Sequence, residues 1–110
     1  MNHSDLKLLG PIGGGEGVVV RRIDTRALAG ENLPIGGAQV LLEPGATTAV
    51  DRHEECEIWV AMAGSGLLDV DGNLRRFEVG NVVHFSPWQV HRLQNDGTER
   101  LAFFSVWWTP

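Results

Sequence analysis

The side chains best suited to chemistry are bunched in two short stretches. In PGATTAVDRHEECEIWVAMAG, Asp51, His53 and Glu57 follow one another closely, and GNVVHFSPWQVHRLQN contributes His91. Two imidazoles and a carboxylate on one face of a divalent ion form a triad that leaves coordination positions open for substrate, water or oxygen. Open positions belong to reactive rather than scaffolding ions. Cys56 is the only cysteine, so thiolate clusters and internal disulfides are excluded and any ion must be held by imidazole and carboxylate.

Asp51 has two readings. As a fourth ligand it adds a second anionic oxygen and shifts preference towards harder ions; as a neighbour of the ligands it holds a histidine or moves a proton. Around these four, Trp59 shares strand parity with Glu57 and either lines the same cavity or belongs to ordinary core. Trp88 lies close to His91 and could act as a lid, giving a candidate pocket of Trp59, His84 and Trp88. His84 sits in an apolar strand, where a hydrogen-bonded core histidine is the alternative to a pocket role. Arg22 and Arg26 read either as anchors for an acidic substrate or as solvated surface. Glu54 and Glu55 read as turn charges, Cys56 as a small buried hydrophobe, and His3 as terminal and without a role.

The elements that must position these groups are β-strands. Short β-favouring runs recur at roughly ten-residue intervals, the pattern of a sandwich or barrel. The expected strands are Gly17–Asp24, Ala38–Leu42, Thr47–His53, Glu57–Ala63, Gly66–Val70, Asn73–Val79, Val82–Phe85, His91–Asn95 and Leu101–Trp107. Asp71-Gly72 and Asp96-Gly97 read as hairpin turns, and Thr25–Glu31 as one helical turn. No amphipathic helix is long enough to cover a sheet, so the sheet must pack on another or close on itself. The fold class is therefore all-β, an antiparallel barrel occupying 17–110. Residues 1–16 form a flexible lead-in, because GPIGGGEG runs into Val18–Val20 rather than into the helix a phosphate cradle needs. Within such a barrel His53 and Glu57 flank the turn RHEEC, and only closure can bring His91 to them.

These stretches resemble the two motifs of the cupin superfamily, Gly-x5-His-x-His-x3-Glu-x6-Gly and Gly-x5-Pro-x-Gly-x2-His-x3-Asn. Gly45, His53, Glu57 and Gly64 match the first, with Asp51 where the family has its first histidine. Gly80, His91 and Asn95 match the second, with Pro87 displaced by one place and Trp88 where the family has glycine. The resemblance implies a double-stranded antiparallel β-barrel of the jelly-roll kind. It also implies one divalent metal ion (zinc, iron, manganese or nickel) on His53, Glu57 and His91, with Asp51 as a fourth ligand or a neighbour of the ligands and Asp51 or Glu57 moving a proton; in the family, loss of the first histidine accompanies both altered metal sites and metal-free members. Compact cupins include cyclases, isomerases and dioxygenases, so the expected function is Lewis-acid type chemistry on an organic small molecule. A non-catalytic small-ligand- or metal-binding cupin is the alternative.

At 110 residues there is material for one core only. Fourteen acidic residues against nine basic give no footprint for nucleic acid or an anionic membrane. No apolar run has the length of a spanning helix and the start lacks the pattern of a signal peptide, so the expected setting is cytoplasmic. The ending LAFFSVWWTP offers Trp107 and Trp108 to opposite faces of what reads as an edge strand, a surface that suggests a homodimer contact.

Overall fold

The computed structural model describes residues 6–25 and 34–110. Nine strands are present there and no helix: β1 Ile12–Gly13, β2 Val18–Arg22, β3 Gly36–Leu42, β4 Cys56–Ala63, β5 Ser65–Val70, β6 Asn73–Glu78, β7 Val82–Phe85, β8 His91–Gln94 and β9 Leu101–Trp108. All pairings are antiparallel, in one sheet of order β1-β2-β3-β9-β4-β7 and a second of order β6-β5-β8. The architecture is the all-β jelly-roll barrel expected. The helical turn expected over Thr25–Glu31, apart from Thr25, lies outside the described residues, as do His3 and Arg26.

Alternation along the strands builds the core. Leu42, Leu101, Phe103 and Phe85 of the larger sheet face Leu68, Phe77 and Leu93 of the smaller one, all essentially inaccessible to water. Trp59 stacks on Phe103 with ring centroids 4.1 Å apart and meets Phe85 and Phe77 edge-on. This aromatic cluster forms the floor beneath the site.

Eight expected strands are found as β2 to β9, with ends within two residues of expectation. The ninth, Thr47–His53, is not a continuous strand. It runs antiparallel to β8 through two isolated bridges, Thr47 to Gln94 and Asp51 to His91. Between them this segment advances four residues while β8 advances three, which is a bulge. There the Thr48 hydroxyl, not a backbone carbonyl, accepts the Leu93 N–H at 2.9 Å. The bulge breaks the ladder yet leaves Asp51 exchanging both backbone hydrogen bonds with His91, each 3.0 Å.

The chain before β2 also differs from a free lead-in: β1 pairs with β2, and Leu8 bridges to Ile23. Asp71 and Gly72 adopt φ of 51° and 85°, the two left-handed residues of a tight turn joining β5 to β6. Asp96-Gly97 is not such a hairpin, because β8 and β9 lie in different sheets. That crossing loop is tied instead by the buried Asn95 side chain, which donates to the Leu42 and Glu99 carbonyls and accepts from the Gly97 N–H. The last strand is not an edge either. β9 is hydrogen-bonded to β3 on one side and β4 on the other.

Candidate metal centre

Glu57 is the second residue of β4, in register with Trp107 of β9 and Phe85 of β7, on the inward face. Its side chain is almost fully buried and fully engaged. Oε2 accepts the Trp59 indole N–H at 2.7 Å and the Ser105 hydroxyl in a very short hydrogen bond. Oε1 is thereby aimed at the two imidazoles, 2.9 Å from His53 Nε2 and 3.4 Å from His91 Nε2. Burial alone would raise the Glu57 pKa, but the approach of the His91 imidazole and the hydrogen bonds from Ser105 and Trp59 bring it down to about 2 from 4.5. The carboxylate is ionised throughout the working pH range.

The histidines are oriented by the same device. His53 Nδ1 lies 3.1 Å from the Glu55 carbonyl and His91 Nδ1 lies 3.0 Å from the Gln89 carbonyl. A carbonyl only accepts, so each Nδ1 carries a proton and each Nε2 is left to face the centre. His91, 1% exposed, is further fixed by Phe85, whose ring stacks on it at 4.2 Å. Burial lowers the His91 pKa, but the nearby Glu57 carboxylate, the hydrogen bond of Nδ1 to the Gln89 carbonyl and the charge of Asp51 raise it overall.

Asp51 completes the group from the bulged segment. Its Oδ2 lies 3.7 Å from both Nε2 atoms, while Oδ1 accepts the Arg52 N–H at 3.0 Å. Unlike Glu57, this carboxylate is more than half exposed. One donor atom from each of Asp51, His53, Glu57 and His91 lies within 4.8 Å of the others. The donors fit a divalent ion on a specific observation: His91 Nε2 is buried without a hydrogen-bond partner. Such an atom is costly unless a cation completes it. The 2.9 Å approach of His53 Nε2 to Glu57 Oε1 makes the same demand, since two lone-pair-bearing atoms tolerate that distance only around a proton or a metal ion.

The group opens on a cavity of about 310 Å³ walled mainly by valines and aromatic rings, including Trp59, Phe103 and Trp107, with Asp51, Glu57 and Ser105 at its polar end. Trp59 is thus both cavity wall and hydrogen-bond donor to Glu57. His84, in register with Ile58, is exposed on the opposite face of the sheet, its ring 6.3 Å from that of Trp108. Trp88 lines neither the cavity nor its mouth; it is half exposed, with the Arg52 guanidinium 5.0 Å from its ring centroid. It adopts φ 68°, and its N–H donates to the His53 carbonyl at 2.7 Å. The left-handed backbone explains why a glycine suits this position. Cys56 is half-buried at the start of β4, and Glu55 lies near His53. Ser105 is the functional residue that the sequence reading missed. Its signal is a lone hydroxyl in the inward row Leu101, Phe103, Ser105 of β9.

Over 71 residues the chain is 35% identical to the (R)-mandelonitrile lyase of Granulicella tundricola, a match covering 64% of this chain and 54% of that protein. The chain therefore matches about half the length of that curated relative. Among solved structures, a Cupin 2 conserved barrel domain protein from Salinispora arenicola superposes with a TM-score of 0.81 at 28% identity, over 97% of this chain and 90% of the other. A predicted oxalate decarboxylase from Thermotoga maritima gives 0.73 at 21% identity, over 96% and 95%. The Cupin domain family matches residues 38–107, a span containing all four metal-capable donors. The chain belongs to the cupin family.

Proposed function

We propose that this protein is a metal-dependent cupin enzyme that performs Lewis-acid chemistry on a small organic molecule bearing a hydroxyl or carbonyl oxygen. The observation that carries the reading is the convergence of four donors, one of them a buried and unpartnered imidazole nitrogen, at the end of an apolar cavity. Asp51, His53, Glu57 and His91 would hold the ion; when bound, it supplies an electrophile that polarises an oxygen and lowers the pKa of an attached hydroxyl. The apolar walls bind the hydrocarbon part of the substrate and keep water from the reacting end.

The two carboxylates divide the work. Glu57 is fixed by Trp59 and Ser105 and serves as the permanent anionic ligand. Asp51 sits in water at the mouth, free to change its distance from the histidines, and is the group placed to accept or return a proton. Proton transfer beside a polarised oxygen suits isomerisation, cyclisation and the cleavage of a carbon–carbon bond next to a carbinol. The last is the chemistry that a lyase named for mandelonitrile implies for that relative.

The test begins with metal. Protein purified without an affinity tag should contain close to one zinc, iron, manganese or nickel ion per chain, and the stripped protein should gain melting temperature when one is added. No metal on purification, together with no thermal shift from any of the four, would overturn the reading. Release of benzaldehyde from mandelonitrile is the first activity to assay. Turnover with Zn²⁺ under anaerobic conditions distinguishes Lewis-acid from dioxygenase chemistry. His91→Ala should abolish turnover with the fold retained, whereas a purely binding cupin has no turnover to lose.

A further inference from the structure

We propose that Arg22 anchors the anionic end of the substrate, so that the cavity takes a small organic acid with a hydroxyl or carbonyl oxygen close to its carboxylate. The inference deepens the metal-dependent reading and rests on it for the oxygen end of the molecule.

Strand parity places the guanidinium. Val18, Val20 and Arg22 share the inward face of β2 and all line the cavity, while Arg21 turns outward to the Leu9 carbonyl at 3.0 Å. Arg22 is in register with Ala38, itself paired with Ser105, whose hydroxyl bonds Glu57. It also lines the mouth of the site together with Asp51, His53, Glu55 and Glu57. Among the described residues it is the only lysine or arginine lining either the cavity or its mouth.

Among the described residues its guanidinium makes no ion pair or hydrogen bond. Arg76 and Arg100, by contrast, are committed to Asp96 and Glu43 at 2.6 Å and 2.9 Å. Three carboxylates stand at the same mouth, yet none pairs with it. Glu57 is engaged by Trp59 and Ser105, Asp51 faces the histidines, and Glu55 lies 3.6 Å from His53 Nδ1. An unpaired guanidinium offers a planar fork of donors that matches one carboxylate in a bidentate contact.

The apolar wall between the two ends suits an aryl or short alkyl acid, and 310 Å³ is at the small end of ligand cavities. Arg22 lies on β2, ahead of residues 38–107 that the family matches.

Calorimetric titration of Zn²⁺-loaded and chelator-stripped protein with mandelate and its neutral counterpart mandelamide tests the anchor. The acid should bind about tenfold more tightly than the amide, Arg22→Gln should bring the two within about twofold, and Arg22→Lys should retain part of the preference. Zinc per chain should be the same in all three proteins. Equal affinities in the wild type, or a preference that survives Arg22→Gln, would overturn the proposal. A protein that loads zinc but shows no Arg22-dependent preference rejects the anchor alone. One that takes up no metal, yet shows that preference in the stripped state, supports the anchor and rejects the metal reading.

Discussion

Glu57 and His91 are a pair whose titrations pull the stability of the metal-free protein in opposite directions. Glu57 is depressed from 4.5 to about 2, so the stability it contributes is present above pH 4.5 and lost as pH falls towards 2. That contribution is on the order of 3 kcal/mol. His91 is raised from 6.5, so its contribution is present below 6.5 and lost as pH rises through the higher folded value. Metal-free protein should therefore melt highest between about pH 4.5 and 6.5. Ligation requires neutral imidazole, so the increment in melting temperature on adding Zn²⁺ should grow above pH 6.5, the reverse of the metal-free trend. Melting curves across pH with and without chelator check both signs. Ser105→Ala should weaken metal binding by about 10- to 100-fold with the fold intact, because Glu57 loses an orienting hydroxyl. Asp51→Asn should reduce turnover more than metal content and Glu57→Gln the reverse, with elemental analysis and rate measured on the same samples. The grouping of Asp51, His53, Glu57 and His91 was legible because residue type and motif interval survive as text. Ser105 was not, since a serine inside an apolar strand has no distinguishing neighbour until the register sets it against Trp59. His84 was equally open: Val82, Val83 and Phe85 are all apolar, so no alternation in the sequence says which side faces in.

Among the elements, the connections carry two of the four donors, Asp51 and His53, and the strands carry Glu57 and His91. Gly64 joins β4 to β5 where the chain leaves one sheet for the other, at φ 78°, and a Cβ there would fall 2.6 Å from the Arg100 carbonyl oxygen. Gly64→Ala should cost at least about 2 kcal/mol in chemical denaturation, combining an unfavourable φ with a backbone clash. Trp88 is the opposite case, a bulky residue in the same left-handed region. Trp88→Gly should be neutral or stabilising by up to about 1 kcal/mol, since relief of backbone strain offsets the lost contact with Arg52. Alternation and turn residues were enough to place eight strands. The bulge between Thr47 and Asp51 was not visible, because one extra residue in an extended segment leaves composition and propensity unchanged. The Asp96-Gly97 turn misled for a related reason: turn residues mark a reversal without saying which sheet the chain enters next.

On the scale of the whole molecule, the two C-terminal tryptophans separate. Trp107 joins the cavity wall, and Trp108 lies on the outer face with His84, near Ile58, Val106 and the exposed Val82. No helix covers that face among the described residues. The homodimer expected from the sequence is therefore retained as a proposal with Trp108, not Trp107, at its contact. Light scattering should give a mass near twice 12.0 kDa, and Trp108→Glu should halve it. The four donors are also distributed across the architecture: Glu57 belongs to the larger sheet, His91 to the smaller, and Asp51 and His53 to the segment between β3 and β4. An ion held by all four would prevent the two sheets from parting, which is the motion that global unfolding requires. Chelation should thus accelerate unfolding far more than it retards folding, shifting one limb of the denaturant-dependent rate profile. The lifetime of the native state, and its resistance to proteases that act on rare openings, would follow the availability of metal.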